Sequence, residues 1–332
     1  MKPNYFFNRF SSRRKIFCPK ETSVLHNLYF FLDYLLALAL YGTSINDYFA
    51  YGFYKLRRSG RNEYITLRRY HKIMKVANDS NDIHICRSKL DFNQFFSDCL
   101  GREWIDINET TAEQFTAFAI QHKTFFVKDI LSYRGIGVTR HEIKDIENLN
   151  SFYNELRAET KSHFIIEEPI VENDELKAFH PWSINTIRVV TLYDTTTDTV
   201  HIMNARIRMD NNRNAVDNFH FQGIGANINI VSGIIDSVGY NCDNKTYLTH
   251  PISGKQIIGF HMPQWEECKA FVTAQAKRLP TVRYIGWDVV LKPDNTFCLI
   301  EANDNADHDF QQMYNRGLWQ EYKTIIRRLK NN

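Results

Sequence analysis

The chain is poor in the features that would declare a function at once. Its six cysteines (Cys18, Cys86, Cys99, Cys242, Cys268, Cys298) are scattered without a CxxC pair. That excludes an obvious zinc knuckle or disulfide framework and makes a reducing cytoplasm the expected setting. No GKS or GKT closes a Walker A loop, and no glycine fingerprint for a dinucleotide is present. No Ser-His-Asp or Cys-His arrangement has motif support, so no protein nucleophile is called for. Repeats and low-complexity tracts are missing. The longest apolar stretch, LYFFLDYLLALALYG at 28–42, is expected to be too short to span a bilayer and is interrupted by Asp33. With no cleavable-looking signal ahead of it, the chain is expected to stay inside the cell.

What is there reads as a folded protein of about two or three domains. The 332 residues are 43% hydrophobic and 24% charged, and helical and strand-like patterns are mixed. Net charge is only +3, but residues 1–75 hold 14 Lys/Arg against four acids (Glu21, Asp33, Asp47, Glu63), a balance of +10 that leaves −7 for the rest. The basic arm RFSSRRKIF and the apolar run after it suit an anionic membrane surface or an acidic glycan, and equally a solvated arm before a packed helix. Nucleic acid is disfavoured, because the acidic remainder offers no extended basic track with interleaved aromatics.

Along the chain, 24–75 reads as helices rich in Leu, Tyr and Phe. TAEQFTAFAIQ (111–121) predicts an amphipathic helix, KTFFVKDI (123–130) a strand, NLNSFYNELRA (148–158) a helix and SHFIIEEPI (162–170) a strand. Beyond Pro169 come the alternating strands WSINTIRVVTLYD and TVHIMNARIRMD, then GIGANINIVSG, a helix over 264–279, a hairpin, and a terminal helix near 310–330. The fold class is α+β. The expected divisions are a basic helical region and following segment at 1–110, a small lobe at 111–169, and a larger one at 170–332.

The hairpin, GWDVVLKPDNTFCLIEANDNAD at 286–307, carries acids at its outer end. Paired around the 294/295 bond, it sets Asp288 opposite Glu301, with Asn303 on the same face two residues on. Like charges that close repel unless a cation or a basic side chain compensates them. Magnesium fits an all-oxygen set of this kind; too few acids converge for calcium, and no His or Cys joins them for zinc. Upstream, Lys128 ends a strand and DILSYRGIGVTRHEI leads away from it. That is either a lysine with a glycine loop for a polyphosphate or an ordinary hairpin turn at Gly135 and Gly137.

In their order, these pieces resemble the ATP-grasp superfamily. They comprise a strand lysine, a glycine loop, the FIIEEPI strand, an Arg-bearing strand, then Asp before a hairpin ending in Glu-x-Asn. WSINTIRVVTL and VDNFHFQGIGANI more narrowly resemble its sugar-transfer-associated branch, found among surface-polysaccharide genes. The likeness covers about 110–310. It implies two α+β lobes holding ATP, with Lys128 on the phosphates and Ser132 to Val138, including Gly135 and Gly137, as a lid. Glu167, Glu168 and Ile170 would meet the adenine and Glu175 the ribose. Asp288, Glu301 and Asn303 would hold magnesium, or manganese in its place. Arg188 and Arg208 would act on the transferred phosphoryl group or the acid being activated, with Arg206, Asn185, Asn218, His220 and Asp304 on the substrate side. Asp304 is alternatively part of a helix-capping cluster.

The implied activity is an ATP-dependent carboxylate–amine ligation through an acyl phosphate. The expected substrates are an acidic sugar or glycan precursor and an amino acid or other amine, in capsule or O-antigen biosynthesis. A kinase acting on a sugar hydroxyl would use the same groups. A non-catalytic nucleotide- or glycan-binding scaffold at the membrane would not be expected to keep three metal ligands.

Overall fold

The structure is a computed structural model and describes residues 3–20, 23–132, 137–211, 223–314 and 316–330. The N-terminal helices are α1 (Pro3–Phe17), α2 (Val24–Tyr41) and α3 (Ile45–Ala50). They are followed by the single turn α4 (Arg58–Arg61), then α5 (Leu67–Ala77), α6 (Ile83–Arg87) and α7 (Lys89–Phe95). Ser23 starts α2 by accepting the His26 N–H, and Gly42 ends it with a left-handed φ of 67° that glycine adopts without strain. The cap starts the helix four residues before the apolar stretch, so α2 has 18 residues. By length and composition alone that is enough to cross a membrane, which corrects the expectation above. Phe30, Tyr34, Ala37 and Tyr41 on its inner side pack with Phe10, Tyr48, Phe49 and Phe53 in a largely aromatic core.

The smaller sheet contains β1 (Trp104–Asp106), β2 (Thr124–Asp129), β3 (Val138–Glu142) and β4 (Phe164–Glu167), antiparallel in the order β1-β4-β2-β3. Helices α8 (Ala112–His122) and α9 (Leu149–Ala158) pack against it through Phe115, Phe118, Leu149 and Phe152. A capping box between Thr111 and Gln114 fixes the start of α8.

After the single turn α10 (Asp174–Lys177), the larger sheet has seven strands among the described residues. They are β5 (Thr186–Asp194), β6 (Thr199–Met209), β7 (Ile224–Asn227), β8 (Gly239–Tyr240), β9 (Thr246–Tyr247), β10 (Tyr284–Leu291) and β11 (Phe297–Asn303), in the order β11-β10-β5-β6-β7-β8-β9. Alternation separates its faces. Ile187, Val189, Ala205, Ile207, Trp287 and Val289 point into the main core under α11 (Trp265–Arg278). On the opposite face Val190, Leu192 and Tyr284 are covered by α5 and by α13 (Trp319–Lys330), leaving the Arg188 end of that face for polar groups. The expected terminal helix is broken, with the short α12 (His308–Gln312) preceding α13. Asn78, just past α5, donates to the carbonyls of Tyr284 (3.0 Å) and Asp304 (2.9 Å) and accepts the Tyr284 N–H. The N-terminal region therefore shares a core and backbone hydrogen bonds with the large sheet.

Candidate active site

Strand register builds the site. Glu301 pairs with Asp288, Asp288 with Arg188, Arg188 with Arg206, and Arg206 with Asn227, in one row across five strands. Directly opposed residues project to the same side of a sheet, so this row lies on the face not taken by the main core. Arg208 follows on β6 opposite Thr186. Both arginines of the expected pair therefore face the acids.

Asp288 is fully buried. The Arg188 guanidinium grips both its oxygens, through Nε and through Nη2 (2.9 Å), and Arg208 Nη2 donates to the same Oδ2 (3.0 Å). Burial alone would raise the carboxyl, but the Arg188 and Arg208 charges outweigh it and hold Asp288 ionised well below the usual range. Glu301 behaves oppositely. It keeps 45% of its side chain accessible on the open side, yet burial on the other side, and then the charge of Asp288, raise its carboxyl. Its carboxyl lies within hydrogen-bond reach of Asp288, and Asn303 Nδ2 donates to Oε1 (3.0 Å).

Magnesium passes a simple donor test here. A carboxylate offers about four lone-pair sites. The two arginines take three on Asp288, and the contact with Glu301 uses the remaining direction. Two carboxylates close enough to share a proton form a place where a small divalent cation can replace that proton. Glu301, Asn303 and the remaining edge of Asp288 are the oxygen donors. Among the described residues no cluster of three His, Cys, Asp or Glu is present, so such an ion would need phosphate oxygens to complete its shell.

The second half of the site centres on Glu167. This buried carboxylate accepts from Arg102 (Nε 2.7 Å, Nη2 3.0 Å), Asn93 Nδ2 (2.8 Å) and Lys128 Nζ (2.5 Å). Burial opposes its charge, but the charges of Arg102 and Lys128 prevail and its carboxyl lies well below the usual range. Arg102 also donates to the Leu299 carbonyl (2.7 Å), tying the smaller sheet to β11 two residues before Glu301. Lys89, at the start of α7, donates to the carbonyls of Asp129 (2.9 Å) and Ser132 (2.5 Å) and to Ser132 Oγ (3.1 Å). Burial lowers its ammonium, and the charges of Glu301, Lys128 and Glu167 all reach it. Lys89, Lys128, Arg102, Arg188 and Arg208 thus share one neighbourhood with Glu167, Asp288 and Glu301.

Lys89, Asn93 and Arg102 were not apparent from the sequence. Each lies far from its partner along the chain, and none belongs to a periodic or glycine-marked motif. The expected base-contacting group is placed differently among its members. Glu167 spends its carboxylate on Lys128 and Arg102. Glu168 accepts the Glu103 N–H (2.8 Å) and pairs with His122 (2.9 Å), Ile170 is half-buried, and Glu175 is exposed on α10. Ser132 receives Lys89, as above. Gly137 has a φ of 69° and accepts the Asp129 N–H (3.0 Å) just before β3; residues 133–136 between Ser132 and Gly137 lie outside the described residues. A Cβ at Gly137 would lie 3.0 Å from that of Ser132.

On the substrate side, Asn185 is fully buried and donates its backbone N–H and its amide to the two oxygens of Glu172 (3.0 Å each). Asp304 is buried and held by Arg87 through Nε (3.1 Å) and Nη2 (2.8 Å). Arg206 is fully buried between the rings of Tyr240 and Phe310, its Nη2 on the carbonyls of Gln311 (2.7 Å) and Met313 (3.0 Å). Burial lowers its guanidinium to about 9. Gly135, Asn218 and His220 lie outside the described residues.

The model of the sugar-transfer associated ATP-grasp family matches residues 123–327. The chain belongs to this family. A search of curated proteins returned no match. Among solved structures, the chain is similar to the ATP-grasp ligase PsnB complexed with minimal precursor (14% identity, TM-score 0.47, 76% of this chain and 64% of that one). It is also similar to D-alanyl-alanine synthetase A from Vibrio cholerae O1 biovar eltor (9%, 0.46, 75% and 66%) and to D-cycloserine synthetase DcsG (10%, 0.45, 75% and 72%). The chain spans less than two thirds of the length of the PsnB structure. Its metal-ligand candidates stand on the larger sheet and Lys128 on the smaller one, and Arg102 joins the two through Glu167 and the Leu299 carbonyl.

Proposed function

We propose that this ATP-grasp protein is an ATP- and magnesium-dependent carboxylate–amine ligase. The observation that carries the reading is the Glu301–Asp288–Arg188 row facing Lys89 and Lys128 across the Arg102 bridge. Magnesium, held by Glu301, Asn303 and Asp288, would supply neutralisation of phosphate charge. Lys128 and Lys89 bind and orient the triphosphate, and Arg188 and Arg208 stabilise charge on the transferred group. A substrate carboxylate oxygen attacks the γ-phosphorus, the bond to the β–γ bridging oxygen breaks, and ADP leaves with that electron pair. An amine then attacks the acyl carbon, phosphate departs, and the nitrogen loses a proton to give the amide.

For substrates we propose an acidic sugar or glycan precursor and an amino acid or other amine, in the making of a surface polysaccharide such as capsule or O-antigen. The family's association with sugar transfer supports this class. The cysteines are free, in keeping with action in the cytoplasm. The test is ADP release with uronic acids, nucleotide-linked uronic acids and amino acids, singly and in pairs, with hydroxylamine as a trap. A hydroxamate formed only with ATP, magnesium and the acid supports the ligase. A stable phosphosugar made without any amine would replace it with a sugar kinase.

A further inference from the structure

Helix α2 has two apolar sides, and among the described residues only one is covered. Phe30, Tyr34, Ala37 and Tyr41 enter the aromatic core. On the outer side Leu25 (79% exposed), Leu28 (53%), Leu32 (52%) and Leu36 (60%) form a stripe at helical spacing, which Val24 and Leu40 extend to both ends. Exposed Phe7 of α1 stacks on Phe31 of α2 beside it. A contiguous exposed patch of this kind marks an interaction surface. Its ends are basic. Lys20 is exposed in the turn before α2, and Arg68 caps the far end by donating to the carbonyls of Leu38, Ala39 and Leu40. Arg9 and Lys15 are exposed on α1 beside it. The one acid in α2, Asp33, is turned inward and held by Arg61 (2.7 Å) and the Tyr48 hydroxyl (2.8 Å).

We infer that α2 docks the protein on an anionic lipid bilayer, lying in the surface with its leucine stripe in the acyl boundary and the basic residues among the headgroups. An apolar helix face with a cationic rim is the physical signature of such binding, through burial of the leucines and attraction to anionic lipid. A spanning helix would have to withdraw Phe30, Tyr34 and Tyr41 from their core and break the Asp33–Arg61 pair, so α2 lies flat instead. Two copies meeting through this stripe in antiparallel fashion would bring the Arg68 end of each to the Lys20 end of the other, and among the described residues of α2 no acid is turned outward to offset Arg68. A negatively charged surface offers what a second copy lacks.

The experiment is flotation of the full chain with vesicles of phosphatidylcholine, with or without roughly 30 mol% phosphatidylglycerol. Wild type should float with the anionic vesicles, several-fold less with neutral ones, and be released in part by salt. The variant L28E/L32E/L36E should bind about a hundredfold more weakly, with an unchanged circular dichroism spectrum and unchanged ATP affinity. Three results of these assays would overturn the inference, and a fourth comes from a carbonate wash. The three are wild type left behind by anionic vesicles, a triple variant that floats like wild type, and a lipid-free dimer that the variant dissolves, which would give the stripe to a second copy. Resistance of the vesicle-bound protein to alkaline carbonate would mean that α2 spans, and would also overturn it.

Discussion

Glu301 faces Asp288 because Ile300 is skipped. From the turn outward, Leu291 pairs with Phe297 and Val289 with Leu299, a register that would next set Asp288 against Ile300 and send Glu301 to the opposite, apolar face. A β-bulge between Asp288 and Val289 moves the pairing by one residue and puts both carboxylates on one side. The acidic corner therefore exists through a local irregularity in the strand.

Glu301→Gln should abolish magnesium-dependent ADP formation while stabilising the metal-free fold. The sign follows from the raised carboxyl of Glu301. Its contribution to stability is intact below the unfolded carboxylate value and is lost as pH rises through the folded one. The glutamine variant should gain on wild type in unfolding midpoint as pH rises above the ordinary carboxylate range, and magnesium with ATP should stabilise wild type alone. Calorimetry across pH reads this out, and identical profiles would remove Glu301 from the cation site.

Asp288→Asn is expected to behave differently at the same corner. It leaves Arg188 and Arg208 without the buried carboxylate between them, at a cost of about 3–5 kcal/mol. Urea unfolding of the two variants side by side distinguishes an anchoring acid from an exposed ligand.

Lys128→Ala should weaken ATP binding by roughly 10- to 100-fold, the loss of one charge-assisted contact. Isothermal titration with a non-hydrolysable analogue measures it, and an unchanged affinity would separate β2 from the phosphates.

Acid should loosen the joint between the two sheets. Glu167 is held well below its ordinary value near 4.5, so its contribution is present above that value and is lost as pH falls below it. The unfolding midpoint should drop between about pH 5 and pH 3, with a shallower slope in Glu167→Gln.

Much of the large sheet was readable beforehand, because buried strands with a polar face alternate strictly. Arg188, Arg206 and Asp288 stand in runs whose neighbours are Ile, Val and Trp. The Asp288–Glu301 pairing was legible too, though by a different path. The turn is shorter than expected, with Asn295 in the left-handed region, and the bulge restores the register. Arg102 and Asn93 were illegible because a buried ion pair joining residues more than sixty positions apart leaves no local pattern. The three-residue β1 is too short to carry a period. The cover that α5 gives the large sheet depends on tertiary contacts that helix propensity does not encode.

His308, in the short helix just past the acidic hairpin, pairs with Asp47 of α3 at 3.0 Å and stacks on Tyr70 of α5 at 4.6 Å between ring centres. Burial works against the imidazolium, but Asp47 overrides it and raises its pKa. The N-terminal helices thus supply a counter-ion and a stacking ring to the short helix that follows the acidic hairpin. Trimming the chain to a minimal ATP-grasp core would take away both Asp47 and the Tyr70 ring, and the His308 imidazole would lose the partner that holds its proton.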